Sequence, residues 1–550
     1  MSGSASAIAS SLALAACLIG MPADAWADAA GRGATVAGDT LSGADDGLPI
    51  ATVGIEAYRI FDPVPKGRLA ATYRAANRLH VRTREETVRT RLLFAPGDPW
   101  SVARARETER DLRALNIFDE VNLIERRRGD SVDVAVITRD AWTTSPEFNL
   151  ERGGNRVFGS FQFSEHNLLG RAQDVSLAYR EDPTGISRSV DFTDPGIAGT
   201  RLMASVGAST GTSGTTADMS FGLPFYAEDT PFSYGIRAER NDSEARLFEQ
   251  DAEVASFARR NERIELYAGR GWREGPTITR VTGSLLVWDR AFGGTTLASG
   301  APGAFAGGDE RLRVRRFAIE TRWWRPSYIE RVAVDRLDVV EDFDVGRSLG
   351  VTFGASPHVF GATAAEEYIA LHVHAGADAG AAGFGLARVM VSSRLADGPR
   401  ESNVTMDARW INQSVPRQTL VVAVLTGAIY RPARDVQYVV GGLNGLRAHG
   451  VHALAGDRLC RLNAESRWLI GRNFYQLVSL GAAGFWDTAR TWGPGSAGLA
   501  WQHDVGMGLR LSLPHSALNQ VLRLDLAWRV SPRGVRPGGA VYSFGSSQAF

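Results

Sequence analysis

The stretch that decides the fold runs from Asp504 to Leu513 and reads Asp-Val-Gly-Met-Gly-Leu-Arg-Leu-Ser-Leu. Every second residue is apolar, and the residues between them are small, polar or charged. A period of two places these two sets on opposite faces of a β-strand. One face of the predicted strand is therefore apolar throughout, while the other carries Asp504 and Arg510.

The next strand-length segment, Leu522 to Val530, repeats the pattern, with Arg523, Asp525 and Arg529 on its polar face. Two successive segments of about ten residues with one apolar and one charged face are typical of transmembrane strands that separate lipid from a wet lumen. A soluble β-sandwich is the alternative, but its strands average about 5–6 residues. Aromatic residues near segment ends fit a membrane interface; they are Trp468, Trp486, Trp492, Trp501 and Tyr542.

Similar segments, separated by turns and Gly-rich loops, extend from about Ser145 to Phe550. This length of ~405 residues accommodates about 16 antiparallel strands with their turns and longer outer loops. No run of about 18 apolar residues follows the N-terminal region, so the sequence predicts no transmembrane helix. A chain that crosses lipid with strands must close into a barrel, because closure satisfies every backbone group. We therefore predict a mainly β protein whose residues 145–550 form a transmembrane antiparallel barrel.

Residues 1–27 are interpreted as a signal peptide. Ala7–Met21 is apolar or small and too short to span a membrane, and Ala25-Trp26-Ala27 supplies a small-x-small cleavage site. Leu14-Ala15-Ala16-Cys17 also fits a lipoprotein box, although the apolar run continues past Cys17, so lipidation stays an alternative. Both interpretations predict export. Residues 28–76 begin with a small, polar, Gly-rich stretch and are interpreted as a linker.

A compact α+β unit is predicted at residues 77–140. In chain order it has a strand at Arg78–Val81, a helix capped by Thr83 and Glu86, a helix after Ser101, and strands at Glu120–Glu125 and Ser131–Thr138. This β-α-α-β-β order, with Phe94-Ala95-Pro96-Gly97-Asp98 ahead of Leu112, Leu115 and Phe118, resembles a POTRA domain. Any small α+β module is the alternative.

The composition argues against several function classes. The 61 basic residues balance 61 acidic ones, which predicts no nucleic-acid partner. Lys66 is the only lysine; an arginine excess is compatible with phosphate or lipid headgroup binding, but codon bias explains it more simply. The chain has no His-Glu-x-x-His or Walker motif, and His449 and His452 lack a third ligand of metal-binding spacing. We predict no enzyme activity, no catalytic or metal site and no cofactor.

A glycine-rich stretch near the end of the chain carries the most informative motif. Gly441-Gly442-Leu443-Asn444-Gly445-Leu446-Arg447 is similar to the sixth-outer-loop signature, Gly-Gly…Val/Leu-Arg-Gly-aromatic, of the BamA/TamA superfamily. Leu462–Arg467 resembles the family's Asn-x-Glu-x-Arg strand, and Phe485–Ala489 resembles its Phe-x-Asp-x-Gly strand. The chain thus resembles the POTRA-containing outer-membrane barrels of this superfamily.

The resemblance implies that the loop folds back into the lumen and that Arg447 pairs with acids on nearby strands. The alternation independently turns Glu465 and Asp487 to the polar face, so these two are the predicted partners. An ordinary loop arginine is the alternative. Ala448 and His449 depart from the family's glycine and aromatic residue, so we expect the loop tip to pack differently and His449 to add pH sensitivity.

Three further segments follow in the family's order. His166–Arg171 resembles the Asn-Leu-Leu-Gly stretch of the first barrel hairpin, and Phe192–Gly196 resembles an Asp-Pro turn. Phe550, preceded by Tyr542 and Phe544, is similar to the C-terminal signal strand of outer-membrane barrels. The resemblance therefore covers most of the chain.

The resemblance implies an outer-membrane factor that inserts or exports client polypeptides, with its N-terminal domain in the periplasm and accessory periplasmic proteins or lipoproteins as further partners. Strand templating requires a short or distorted seam between a first strand near Glu147–Arg152 and a last strand near Val541–Phe550. A two-partner-secretion-type export pore for one dedicated protein is the first alternative, and a porin-like or structural barrel is the second. A single POTRA-like unit favours an accessory paralogue over the essential assembly factor, which usually carries five.

Overall fold

The computed structural model describes residues 41–153, 156–182, 185–337, 339–442, 444–494, 500–517, 521–530 and 539–546. The chain is mainly β, with a small N-terminal domain and a closed barrel of 20 strands. In this described part of the chain, none of the helices is long and apolar enough to cross a membrane. The predicted signal peptide, Cys17 and Phe550 lie outside the described residues.

The N-terminal domain is a three-stranded sheet with helices packed against it. Its elements are β1 (Ile50–Tyr58), α1 (Ala70–Leu79), α2 (Glu85–Arg89), α3 (Val102–Ala114), β2 (Phe118–Arg128) and β3 (Ser131–Asp140). The strand order is β1-β3-β2, with β1 parallel and β2 antiparallel to β3. The predicted alternation of β3 buries Val132, Val134 and Val136, which are at most 2% exposed, against α3. The two predicted C-terminal strands of this unit are therefore confirmed.

Three details of the predicted unit are wrong. Arg78 belongs to α1, so no strand begins there, and the first strand lies upstream at Ile50–Tyr58, inside the predicted linker. This strand is stabilised by parallel pairing with β3, a long-range contact that local alternation does not reveal. The Thr83 capping box does not form, because the Thr83 hydroxyl accepts a hydrogen bond from Asn167 instead. With β1 and α1 added to the predicted elements, a POTRA domain stays a prediction.

The barrel wall consists of antiparallel strands in sequence order. They are β4 (Thr144–Gly153), β5 (Arg156–Leu168), β6 (Gln173–Asp182), β7 (Gly185–Asp194), β8 (Met203–Gly211), β9 (Gly214–Leu223), β10 (Phe232–Glu249), β11 (Ala252–Glu274), β12 (Thr277–Phe292), β14 (Glu310–Arg325), β17 (Arg347–Ser356), β18 (Glu366–Asp378), β19 (Phe384–Ala396), β20 (Gly398–Asn412), β21 (Gln418–Tyr430), β24 (Arg458–Phe474), β25 (Val478–Trp492), β26 (Gln502–Ser512), β27 (Val521–Val530) and β28 (Val541–Gly545). Shorter strands in the connecting loops are β13 (Thr296–Leu297), β15 (Tyr328–Val332), β16 (Val340–Asp344), β22 (Tyr438–Val440) and β23 (Leu454–Gly456).

The predicted number of about 16 strands is wrong, because many connections are tighter than the assumed outer loops. Only Thr212 and Ser213 join β8 to β9, only Gln250 and Asp251 join β10 to β11, and Asp397 alone joins β19 to β20. Short hairpin turns leave more of the chain for strands, so the same length of sequence builds more of them.

The two faces of the strands have the predicted character. On β26, Val505 and Met507 are 40% and 53% exposed on the outer face, whereas Asp504 and Arg510 are at most 1% exposed on the inner face. On β27, Leu524 is 47% exposed outside while Asp525 is fully buried inside. Apolar side chains thus form the outer wall, and the charges collect in the lumen.

The barrel closes through a short seam between its first and last strands. Among the described residues, β4 and β28 share two residue pairs, Leu150–Phe544 and Glu151–Ser543, whereas β26 and β27 share ten. Below these pairs, the Asn149 side chain accepts a hydrogen bond from the Ser546 N–H at 3.0 Å. In the part of the seam that the structure describes, side-chain contacts therefore supplement a ladder that is much shorter than the β26–β27 ladder.

The N-terminal domain sits on one end of the barrel, here called the domain-side rim. The buried Asn167 amide, in the motif that resembles Asn-Leu-Leu-Gly, donates to the Thr83 hydroxyl at 2.9 Å. At the Asp-Pro turn, the Arg91 guanidinium donates to the Pro195 carbonyl at 2.7 Å. A Cβ at Gly170 would collide with the Arg82 carbonyl oxygen, which explains the glycine there. The turns of both motifs therefore bind the N-terminal domain.

The apolar outer face predicts that a charged side chain placed on it destabilises the barrel by an amount that depends on its depth in the membrane. Met507 lies at the middle of β26 on the outer face, so Met507→Arg should destabilise the folded barrel by about 2–4 kcal/mol, because a lipid-facing charge loses its hydration. Urea unfolding in lipid vesicles measures this cost. The control is Tyr430→Arg at the end of β21, which should cost about 0–1 kcal/mol. Equal costs at the two positions would contradict a membrane-embedded wall.

Candidate functional site

The Gly-rich loop between β21 and β24 enters the barrel from the far rim. The β22–β23 pair forms its neck, and Leu446 is fully buried in the lumen against Val440, Leu454 and Leu459. Gly441 has a φ of +152°, and a Cβ there would collide with the Gly450 carbonyl oxygen. The loop therefore requires glycine at this position so that its two arms can approach closely.

Arg447, at the tip of this loop, reaches the carboxylates of three strands. Its Nε and Nη2 donate to the two oxygens of Asp487 at 2.8 and 2.9 Å, a bidentate pair. Its Nη1 donates to Glu465 at 2.7 Å and to Asp525 at 3.2 Å. The guanidinium carbon also lies 3.3 Å from the centre of the Phe485 ring, within cation–π range. The structure thus places Arg447 against both predicted acids.

The same carboxylates bind further guanidinium groups. Arg467 donates to Glu465 at 2.9 Å, and Arg510 donates to Asp525 at 2.6 Å and to Glu465 at 3.3 Å. All of these side chains are at most 4% exposed. We call this set the lumenal ion cluster; it comprises Arg447, Arg467, Arg510, Arg523, Glu465, Asp487, Asp504 and Asp525. Four cations face four carboxylates, so no large net charge is buried.

The two departures from the family motif also sit inside the barrel. Ala448 is 1% exposed and packs against Phe485, and its N–H donates to Asp504 at 2.7 Å. The Nδ1 of His449 lies 2.9 Å from the same carboxylate. A glycine is not needed where alanine fits this pocket, and the histidine replaces aromatic packing with a polar contact to β26. The expected pH sensitivity of His449 stays a prediction.

Sequence reasoning predicted Arg447, Glu465 and Asp487 as interacting residues but not the other five members of the ion cluster. The alternation turned Arg510, Arg523 and Asp525 to the inner face, but only the register of β24 to β27 brings them to Arg447. Of the predicted C-terminal strand, Phe544 lies in the seam opposite Leu150 and Tyr542 is half exposed on β28. These residues position the end of the wall rather than the loop.

A second element fills the lumen from the domain-side rim, and no sequence motif indicated it. The hairpin of β15 and β16, residues 328–344, carries Val334 and Leu337 on its tip, which are 0% and 4% exposed. Leu337 packs against Leu469 and Val521 on the inner wall. The Val334 carbonyl accepts a hydrogen bond from Arg467 at 2.6 Å. This lumenal hairpin therefore contacts the ion cluster from the domain-side rim, whereas the Arg447 loop reaches it from the far rim.

The lumenal hairpin is also bound to the N-terminal domain. Arg113, on α3, donates to both carboxylate oxygens of Asp342 at 2.7 and 2.8 Å and to Glu330 at 2.9 Å. The guanidinium of Arg110 lies 3.9 Å from the centre of the Tyr328 ring. A continuous series of polar contacts therefore runs from α3 through the hairpin to Arg467 and the Arg447 loop.

Helix α3 also places two carboxyl groups in protected positions. Glu107 accepts the backbone N–H of Glu228, in the loop between β9 and β10, at 2.6 Å. Glu109 accepts the N–H of Leu123 at 2.7 Å. Burial raises the pKa of each carboxyl to about 7. Glu107 therefore links α3 to the barrel, whereas Glu109 links it to β2 within the N-terminal domain.

Removing the central guanidinium should destabilise the barrel. Arg447→Ala removes the bidentate guanidinium partner of the buried Asp487 carboxylate and one partner each of Glu465 and Asp525, at a cost of about 3–5 kcal/mol. The control is Arg458→Ala, which removes an exposed side chain of β24. The free energy of unfolding of this variant should stay within about 0.5 kcal/mol of the wild-type value. Urea unfolding in vesicles and heat-modifiable gel mobility measure both.

A charge swap tests the pairing itself. Asp487→Arg combined with Arg447→Asp should recover only part of the loss, because Glu465 and Asp525 also bind Arg447. If the two single variants and the double variant assemble as well as the wild type, the pair is unimportant.

The two α3 carboxyl groups predict a pH dependence. A carboxyl whose pKa is higher in the folded state than its ordinary 4.5 stabilises that state fully below pH 4.5 and loses this effect as pH rises through about 7. Protection of the α3 amides from hydrogen exchange, corrected for intrinsic rates, should therefore be greater near pH 5.5 than near pH 8. The double variant with Glu107→Gln and Glu109→Gln should remove the difference. A wild-type difference that persists in this variant would assign the effect to other groups.

Comparison with known proteins supports the family resemblance over short stretches. A 116-residue stretch is 27% identical to Outer membrane protein assembly factor BamA of Neorickettsia risticii (strain Illinois), covering 20% of this chain and 16% of that protein. A 127-residue stretch is 25% identical to Outer envelope protein 80, chloroplastic, of Arabidopsis thaliana, covering 22% of this chain and 17% of that protein. The chain therefore spans about a sixth of the length of each of these relatives.

The remaining comparisons are weaker. No family model matches the chain. Among solved structures, CdiB from Acinetobacter baumannii is similar over 91% of this chain and 74% of its own, with 10% identity and a TM-score of 0.44, too low to decide the family. The two relatives found by sequence, together with the closed barrel and its inward-folded arginine loop, make the chain similar to outer-membrane β-barrel proteins of the BamA/TamA type.

Proposed function

We propose that this protein inserts client polypeptides into the outer membrane, or passes them through it, by templating their strands at the barrel seam. The observation that carries the proposal is that, among the residues the structure describes, two residue pairs join β4 to β28. Pro146 lies in β4 and has no N–H to donate, a residue that sheets tolerate at edges. The first strand therefore has the character of an edge that a client strand can join.

The mechanism follows from hydrogen bonding in lipid. Opening the seam exposes N–H and C=O groups of β4 and β28, and in hydrocarbon these groups cost several kcal/mol each when unpaired. A client strand that pairs with them removes this cost, so each incoming strand extends the sheet. In the described part of the seam two residue pairs join the strands, so few backbone hydrogen bonds must be broken there before templating starts. The proposal includes no enzymatic step, metal or cofactor.

The proposed orientation places the N-terminal domain in the periplasm, where it would meet clients before the barrel does. The contacts of Arg113 with the lumenal hairpin support communication between this domain and the barrel. Accessory periplasmic proteins or lipoproteins are further proposed partners.

The occupied lumen bears on the alternatives. The Arg447 loop enters from the far rim and the lumenal hairpin from the domain-side rim, and the two meet at Arg467. A porin needs an open, water-filled channel, so this arrangement favours a route through the seam. A dedicated export pore of the two-partner-secretion type would have to displace both elements.

Depleting the protein and profiling the outer-membrane and secreted proteomes distinguishes these functions. Loss of many barrel proteins supports insertion. Loss of one secreted protein supports dedicated export, and an unchanged proteome favours a porin-like or structural barrel.

Locking the seam should stop the proposed activity. Leu150 and Phe544 are directly paired, so Leu150→Cys with Phe544→Cys, in a chain without Cys17 and Cys460, places two thiols at disulfide distance. The oxidised variant should fail to restore client levels in a depleted strain, and reductant should rescue it. The matched control is Leu509→Cys with Leu524→Cys, which crosslinks β26 to β27 and should stay active when oxidised. Full activity of the locked seam would exclude seam templating.

A further inference from the structure

One segment of the N-terminal domain is strongly basic, although the whole chain has no net charge. Between residues 59 and 84, seven basic residues stand against Asp62 alone, so the segment carries a net charge of +6. All seven are exposed; they are Arg59, Lys66, Arg68, Arg74, Arg78, Arg82 and Arg84. In the described part of the chain, none of them forms an ion pair with a carboxylate within 4.0 Å. This basic segment therefore has charge available for an external partner.

The basic segment lies against the domain-side rim rather than away from the barrel. The Arg84 N–H donates to the Gly170 carbonyl at 2.9 Å, and its Nε donates to the Leu169 carbonyl at 2.9 Å. On α1, the Tyr73 hydroxyl donates to the Tyr475 carbonyl in the turn between β24 and β25. The segment is thus fixed where the lipid-facing wall ends, beside the strands that form the seam.

Apolar side chains accompany the charges at the same place. His80 is directed inward, with its ring 2.9 Å from Asp140, whereas its neighbours Leu79, at the end of α1, and Val81 are 73% and 53% exposed. Leu169, at the rim end of β5, is 56% exposed. The same strand presents Phe163 to lipid, so these apolar residues continue the outer wall onto the N-terminal domain.

We propose that the basic segment binds the anionic headgroups of the membrane leaflet at the domain-side rim, while Leu79 and Val81 enter its interface. Exposed basic residues next to exposed apolar ones are the composition of membrane-surface elements. Arginine suits this partner because its guanidinium binds phosphate in bidentate geometry. The contact would hold negatively charged phospholipid beside the seam and fix the N-terminal domain at the membrane surface. It does not depend on the proposed client activity.

The test uses the full chain in nanodiscs of phosphatidylcholine alone or of equal parts phosphatidylcholine and phosphatidylglycerol, with hydrogen exchange as the readout. Amides of residues 74–84 should exchange about fivefold or more slowly in the anionic nanodiscs at low salt. High salt should remove the difference because it screens exposed charges.

A matched pair of variants assigns the effect to the segment. The triple variant Arg68→Gln, Arg74→Gln, Arg78→Gln should lose the slowing. The control triple variant Arg126→Gln, Arg127→Gln, Arg128→Gln removes the same charge from the end of β2, roughly 30 Å from the barrel end of the sheet, and should retain the slowing. Unchanged hydrogen exchange of the β3 amides verifies that both variants fold. If this exchange changes, the salt dependence of the wild-type protein decides whether anionic headgroups bind.

Three results would overturn the proposal. Equal exchange of the wild type in the two lipid compositions excludes anionic headgroups as the partner. Equal responses of the two triple variants exclude the basic segment as their site. Slowing by added polyglutamate, without slowing by phosphatidylglycerol, would assign the surface to an acidic polypeptide instead.

Discussion

A guanidinium group removed from water requires carboxylates in hydrogen-bonding geometry, and the lumen of this barrel is arranged around that requirement. Arg447 obtains its carboxylates from β24, the strand that follows its own loop, and from β25 and β27 further along the wall. The loop therefore stays inside only while those strands keep their register. In turn, the carboxylates of these strands need Arg447 and its neighbours to balance their charge, so loop and wall stabilise each other.

This mutual dependence makes the barrel wall unequal around its circumference. The strands from β24 to β27 are joined by long ladders and by the lumenal ion cluster. The next strand of the wall, β28, meets β4 through two residue pairs among the described residues. The strongly paired strands β24 to β27 thus lie beside a weakly paired seam. Partial unfolding of the barrel is therefore expected to open the seam before it disrupts the lumenal ion cluster.

The parts of this architecture that rest on local pattern were predictable from the sequence. The alternation on either side of Arg510 and Arg523 predicts the two faces of the wall, and the motif around Arg447 predicts a lumenal loop. What depends on register or on distant pairing was not predictable: Asp525 reaches Arg447 only through the alignment of four strands, and β1 forms only beside β3. The strand number was wrong because tight turns cannot be distinguished from loops by composition alone. The lumenal hairpin had no signal, since Val334 and Leu337 are ordinary apolar residues until a lumen surrounds them.

The Arg447 loop and the lumenal hairpin, which both contact the ion cluster, also affect how freely ions pass through the barrel. A wall of 20 strands encloses a wide cross-section, which would pass nutrients, detergents and antibiotics if it stood empty. Filled from both ends, it is expected to act as an insulator with negligible ionic conductance.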